Sequence, residues 1–167
     1  ESVTETGFWT DDNGTKYTVS IYTYGAEKPG ASNLTSGKPA AEKSGTMDLA
    51  GYHTVKLPSP VPLKEGEWFS VVLKFTNPSC EYPLVVEQYC KGFSENVVVK
   101  AGNSYFSGDG RTWTDGANLK SVAKDLDPSN AAVKAFTLCG KAEGPRPDKP
   151  EPDGEDEEED EDNEEWD

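Results

Sequence analysis

Between Trp68 and Phe75 the chain reads WFSVVLKF, with Phe69, Val71, Leu73 and Phe75 on one side of an extended backbone and Ser70 and Lys74 on the other. A period of two marks a half-buried antiparallel strand, because successive side chains of a strand point to opposite faces. Upstream, Tyr52 to Leu57 alternates in the same way, with His53, Val55 and Leu57 in one phase, and a segment rich in Pro, Lys and Gly separates the two runs. Further strands are expected at Thr6 to Thr10, Tyr17 to Tyr24, Thr46 to Leu49, Leu84 to Tyr89, Val97 to Lys100, Ser104 to Ser107 and Ala131 to Leu138. Short runs rich in Val, Thr, Tyr and Phe, punctuated by 16 Gly and 12 Pro, are the pattern of a sandwich rather than of a helical protein. At 167 residues one domain is expected, and a body of about 140 residues buries roughly two-thirds of its unfolded surface.

The connections carry their own signals. Asp11 to Gly14, DDNG, fits a tight hairpin turn, since Asn and Gly tolerate positive φ. Gly25 to Ser44 contains Pro29, Gly30, Gly37 and Pro39 and reads as a long surface loop. Leu119, Val122, Ala123 and Leu126 are spaced by three and four, which predicts a short helix between Asn118 and Asp127. No internal repeat is visible, and no run of about 18 apolar residues offers a membrane span. The chain starts at Glu1 without Met or an apolar leader, as expected of a processed or excised fragment.

Charge divides the chain in two. Residues 143–167 carry 15 acidic and two basic side chains, leaving 16 acidic and 14 basic on residues 1–142. The body is close to neutral and offers no basic stripe for phosphate, which argues against nucleic acid as a partner. Gly144 to Gly154 is a proline-stiffened spacer, and the acidic run beyond it repels itself into extended, disordered conformations.

Three cysteines, Cys80, Cys90 and Cys139, cannot all pair within the chain. An extended Tyr82 to Tyr89 at about 3.3 Å per residue separates its ends by roughly 26 Å. Disulfide geometry needs Cα atoms within about 7 Å, so Cys80 with Cys90 would require that segment to fold back, and Cys139 is the better partner for either. Three buried free thiols are an equal alternative. No C-x-x-C or Cys/His spacing points to zinc.

GYHTV followed by WFSVV (Gly51 to Val72), GFWTDDNGTKYTVSIYTYG (Gly7 to Gly25), YPLVVEQ (Tyr82 to Gln88), AGNSYFSGDGRTWTD (Ala101 to Asp115) and VKAFT (Val133 to Thr137) together resemble a known family. It is the lectin-like β-sandwich domain found C-terminal to papain-type cysteine proteases of anaerobic and gut prokaryotes. The resemblance covers most of residues 3 to 138. It implies an all-β, two-layer antiparallel sandwich of jelly-roll type, assigned to residues 1–142, while the acidic tail of 143–167 is read from the charge distribution. It also implies a secreted or cell-surface parent protease, for which this module binds a glycan or glycoprotein ligand. Alternatively the module packs on its own protease domain and spaces it from a surface anchor.

The residues themselves argue against catalysis. His53 is the only histidine and shares the phase of Val55 and Leu57, as expected of a partly buried imidazole with a satisfied hydrogen bond. No cysteine has the context of an activated nucleophile, and no G-x-S-x-G occurs. Carboxylate-rich turns raise the question of calcium at Asp11 and Asp12, at Asp109 with Asp115, and at Asp125 and Asp127. The last pair begins like an EF-hand loop but lacks Gly at the sixth position and has Phe136 where Glu belongs. Asp in turns ordinarily bonds its own backbone, so calcium is a weaker reading than turn formation.

Trp9, Tyr22, Tyr24, Tyr105, Phe106 and Trp113 are too many aromatics for one face of a core. Sugar rings dock their apolar faces on exposed aromatics while carboxylates accept from hydroxyls. Tyr105, Asp109, Arg111, Trp113 and Asp115 supply those groups within one hairpin and are the candidate ligand site. Packing of Phe106 and Trp113 in the sandwich, with Asp109 and Gly110 making the turn, is the competing reading. Residues beyond Gly144 have almost no apolar content apart from Trp166 and cannot offset the entropy of ordering. Deleting residues 145–167 is therefore expected to leave the thermal midpoint of the body nearly unchanged, and a drop of many degrees would show that the tail packs on it.

Overall fold

A computed structural model describes residues 1–79 and 84–140. Within them the chain forms β1 (Ser2–Thr10), β2 (Thr15–Gly25), β3 (Ala41–Met47), β4 (Gly51–Pro62), β5 (Trp68–Thr76), β6 (Val86–Gln88), β7 (Tyr105–Phe106), β8 (Thr114–Asp115), a 3-10 helix (Gly116–Ser121), β9 (Ser129–Ala131) and β10 (Val133–Leu138). Two three-stranded antiparallel sheets make the sandwich, in the orders β10-β1-β4 and β3-β2-β5. The expected all-β, antiparallel architecture is what the chain adopts. The acidic tail lies outside the described residues.

Consecutive strands mostly change sheet, and this corrects one expectation. Asp11 to Gly14 is not a hairpin turn, because β1 and β2 lie in opposite layers. The polar side chains of that turn instead tie neighbouring corners together. Asn77 donates to Asp11 (2.8 Å), the Ser79 amide donates to Asp12 (2.8 Å), and the Ala50 amide donates to Asn13 (2.8 Å). The β4–β5 corner also crosses between layers, and β4 runs through Pro58 and Pro60 to Pro62. Proline is tolerated there because β4 is an edge strand. The β1–β4 register also jumps between Val3 with Val61 and Glu5 with Lys56, which leaves Pro58 and Pro60 outside the ladder.

Other expectations shift for equally local reasons. The strand placed at Thr46 to Leu49 begins earlier, at Ala41. It is recruited by pairing with β2 from Ile21 opposite Ala41 to Thr15 opposite Met47, and so shortens the long loop expected up to Ser44. Val97 to Lys100 forms no strand, and the Asn130 amide reaches the Val98 carbonyl at 3.2 Å. The run Ala131 to Leu138 divides at Ala132, with β9 pairing β6 and β10 pairing β1. The helix expected from Asn118 to Asp127 is a 3-10 turn ending at Ser121. Leu119 is buried, but Val122 and Leu126 face solvent and supply no apolar seam for a longer helix. Cys90 and Cys139 are exposed free thiols, not buried ones, and Cys80 lies outside the described residues.

The core lies between the layers. Val3, Phe8, Val19 and Ile21 are fully enclosed, Tyr17, Val55, Leu57 and Val61 nearly so, and Phe69, Val71, Leu73 and Phe75 of β5 pack half-buried against them. Phe8 of one sheet meets Tyr17 and Phe75 of the other at centroid separations of 5.4 Å each, tilted by 51° and 54°. Tilted rings at this distance add to what area burial alone contributes. Phe8→Ala is expected to cost about 3–5 kcal/mol of unfolding free energy in urea. A loss below about 1 kcal/mol would mean that the ring does not bridge the layers.

Candidate functional site

The predicted hairpin exists, and its five residues are brought together on it. Tyr105 pairs with Asp115 and Phe106 with Thr114, closing the loop from Ser107 to Trp113. Close approach fixes its base: a Cβ on Gly116 would stand 2.2 Å from the Ser129 carbonyl oxygen and 3.1 Å from the Phe106 ring. At the tip, the Asp109 carboxylate accepts from the amides of Thr112 (2.7 Å) and Arg111 (2.8 Å) and from the hydroxyls of Ser107 (3.0 Å) and Thr112 (3.1 Å). Those donors, the Thr112 amide foremost, hold its carboxyl well below the usual carboxylate range. Asp115 accepts from the amides of Gly102 (2.6 Å) and Ala117 (2.9 Å), the latter capping the 3-10 helix.

Both carboxylates therefore serve their own backbone. Burial, and secondarily the charge of Asp115, raises the Tyr105 hydroxyl above its ordinary pKa. Trp113 is half-buried, and its indole N–H is shielded from solvent without a partner among the described residues. Arg111 is exposed at the tip. The hairpin thus offers a ligand one guanidinium and partial ring surfaces, with its carboxylates already engaged.

A second surface was not singled out by sequence reasoning. On the outer face of the β10-β1-β4 sheet, Trp9, Tyr52 and Phe136 are 47%, 43% and 40% exposed. Trp9 stands opposite Tyr52 in register, with ring centroids 5.5 Å apart and planes at 58°. Gly7 lies between Tyr52 and Phe136. A Cβ there would fall 2.0 Å from the Tyr52 hydroxyl oxygen and 3.1 Å from the Phe136 ring, so only glycine lets Tyr52 lie across the strand. Thr54 and Lys134 flank Gly7 in register, and Lys56 stands opposite Glu5. The signal was present in the alternation. Tyr52 is out of phase with His53, Val55 and Leu57, and Phe136 is out of phase with Val133, so both belong outside.

The remaining candidates are accounted for by structure. Trp68 is 43% exposed, but the Lys28 ammonium sits 5.2 Å from its ring centroid. Tyr24 bonds the Leu34 carbonyl and Ser70, while Tyr22 is half-buried on the same strand. The His53 Nε2 lies 3.0 Å from the Leu49 carbonyl and 3.1 Å from the Thr10 hydroxyl, the satisfied imidazole expected from its position. Asp127 pairs with Lys120 at 3.1 Å, and Asp125 is exposed nearby. Among the described residues, no group of three or more His, Cys, Asp or Glu is placed to hold a metal ion. Nor is any helix among them long and apolar enough to cross a membrane.

The family model described as "Lectin like domain" matches residues 1–137, and the chain belongs to that family. The match spans both sheets and the hairpin, and the class is one of carbohydrate-binding-type, typically non-catalytic modules. Neither a curated protein nor a solved structure matches the chain.

The Asp109 contacts make a titration prediction. A carboxyl whose folded pKa is depressed stabilises its loop above the unfolded pKa and loses that effect only as the pH falls through the lower, folded value. The amide resonances of Arg111 and Thr112 should therefore stay unchanged through the ordinary Asp range near about pH 4 and move only in stronger acid. Asp109→Ala should leave both amides open to exchange at neutral pH. A titration midpoint at the ordinary Asp value would show that the carboxylate does not hold the loop.

Proposed function

We propose that the chain is a non-catalytic, lectin-like binding module of a secreted or cell-surface papain-type protease, and that its ligand is a glycan or a glycoprotein carrying one. The observation that carries this reading is a sandwich of the lectin-like family with three solvent-facing aromatic rings on one sheet face. Rings held on a rigid sheet stack against the apolar faces of sugars at little conformational cost. The protease link and the extracellular setting rest on the resemblance of residues 3 to 138, and the near-neutral body supports a ligand other than nucleic acid. His53 argues against catalysis by this chain, because its ring contacts a threonine hydroxyl, a carbonyl and Phe8, with no thiol beside it among the described residues.

A second reading has its own observation. The segment between β5 and β7 exposes Leu84, Val86, Tyr89, Phe93 and Val98, with Phe93 92% exposed. Exposed apolar side chains of this density suit a surface that packs on another domain, here the protease domain of the same protein, with the module as a structural spacer between enzyme and surface anchor.

A glycan array run with and without calcium separates the two. The binding reading expects retention of at least one glycan class, unchanged by a chelator because Asp11, Asp12, Asp109 and Asp115 already hold protein donors. An array without any bound glycan, together with capture of the separately produced protease domain by this chain but not by its Phe93→Asp variant, would favour the spacer. Peptide hydrolysis by the purified chain that disappears in His53→Ala would contradict both.

A further inference from the structure

We propose that the outer face of the β10-β1-β4 sheet is the saccharide-stacking site, with Trp9, Tyr52 and Phe136 as its floor and an uncharged oligosaccharide as its occupant. This rests on the glycan-binding reading above and adds where the ligand lies and what charge it carries.

Placement on three adjacent strands comes first. Phe8 and Thr6 point into the core, so Gly7 and Trp9 must point out, and the register sets Tyr52 beside Trp9 and Phe136 beside Glu5. Gly7 lets the Tyr52 ring settle across the sheet toward Phe136 rather than stand on edge. The platform spans two inter-strand spacings, about 10 Å, which is wider than one sugar ring and suits an oligosaccharide. Its rings sit on hydrogen-bonded strands and lose little freedom when a ligand docks.

The fringe defines the ligand's charge. Glu5 faces Lys56 across the β1–β4 register, and Lys134 pairs with Glu87 at 3.0 Å. Positive and negative groups balance on either side of the rings, with the Thr54 hydroxyl among them. Such an edge accepts from and donates to neutral hydroxyls and gives no net field to an anion. No other ring surface of the described residues matches it. Trp68 is capped by Lys28, the Trp113 indole N–H is shielded, and the exposed rings of Tyr89 and Phe93 lie off the sheets, on the segment between β6 and β7.

The test uses the purified chain with cellohexaose, maltohexaose, mannohexaose and xylohexaose, and a heparin hexasaccharide as the anionic comparison. Affinities are measured by calorimetry for the native chain and for Trp9→Ala, Tyr52→Ala, Phe136→Ala and Arg111→Ala. Their melting temperatures are checked in parallel, and Tyr52→Ala stands in should Trp9→Ala fold poorly. We expect at least one neutral hexasaccharide to bind. Trp9→Ala and Tyr52→Ala should each weaken it at least tenfold at nearly unchanged melting temperature, with Arg111→Ala unaffected. Neutral binding that survives the platform variants but is lost in Arg111→Ala would overturn the site and leave glycan binding standing. Binding of heparin alone would overturn the neutral ligand, and binding of none would remove the glycan reading itself. Self-association abolished by Phe136→Ala would assign the face to a second copy of the chain and likewise overturn the proposal.

Discussion

The packing of the Phe8 ring between the two sheets is the contact on which the rest depends. Most corners of the sandwich cross from one layer to the other, so few local hairpins hold the layers together. The layers are instead closed by side-chain packing across them, and Phe8 packs at once on Tyr17, nearby in sequence, and on Phe75, far from it. Polar ties among Asp11, Asp12, Asn13, Asn77 and Ser79 secure one end of the same corners. Apolar burial drives the closure, and the turn carboxylates set its geometry.

The orientation of Phe8 also decides what the protein shows to solvent. A one-residue slip in a strand exchanges its two faces. With Phe8 inside, Gly7 and Trp9 are outside, and the matching phases of β4 and β10 bring Tyr52 and Phe136 to the same face. The register shift between Val3 and Glu5 lets Val3 and Thr6 both face inward without disturbing that alternation downstream. The aromatic platform is thus the reverse side of the core-forming pattern, and the ligand surface and the stability of the sandwich share one cause.

Much of the fold was legible because alternation is written residue by residue. β5 and the central part of β4 fell where their apolar phases put them, and His53 took the half-buried, bonded place that its phase required. Information carried by partners distant in sequence was less accessible. β3 has no apolar alternation of its own and exists by pairing with β2, while the layer change after Asp11 to Gly14 depends on contacts to residues 50, 77 and 79. At the candidate site, residue chemistry drew attention to Tyr105, Asp109, Arg111, Trp113 and Asp115, which do share a hairpin. The bonding of Asp109 to the Arg111 and Thr112 amides is what residue type predicts for Asp in a turn, whereas the engagement of Asp115 by the Gly102 and Ala117 amides depends on how the hairpin base meets the 3-10 helix. Tyr52 and Phe136 were readable in principle from phase alone, but their convergence over Gly7 required the register of three strands.

The most direct test of the account is an amide and indole NMR titration of the isotope-labelled chain with the tightest-binding neutral hexasaccharide. Stacking on the sheet predicts perturbations concentrated at Gly7, Thr54, Phe136 and the Trp9 indole, with the Ser107 to Trp113 loop unmoved. Perturbations confined to that loop, or spread across the exposed segment from Leu84 to Val98, would contradict it.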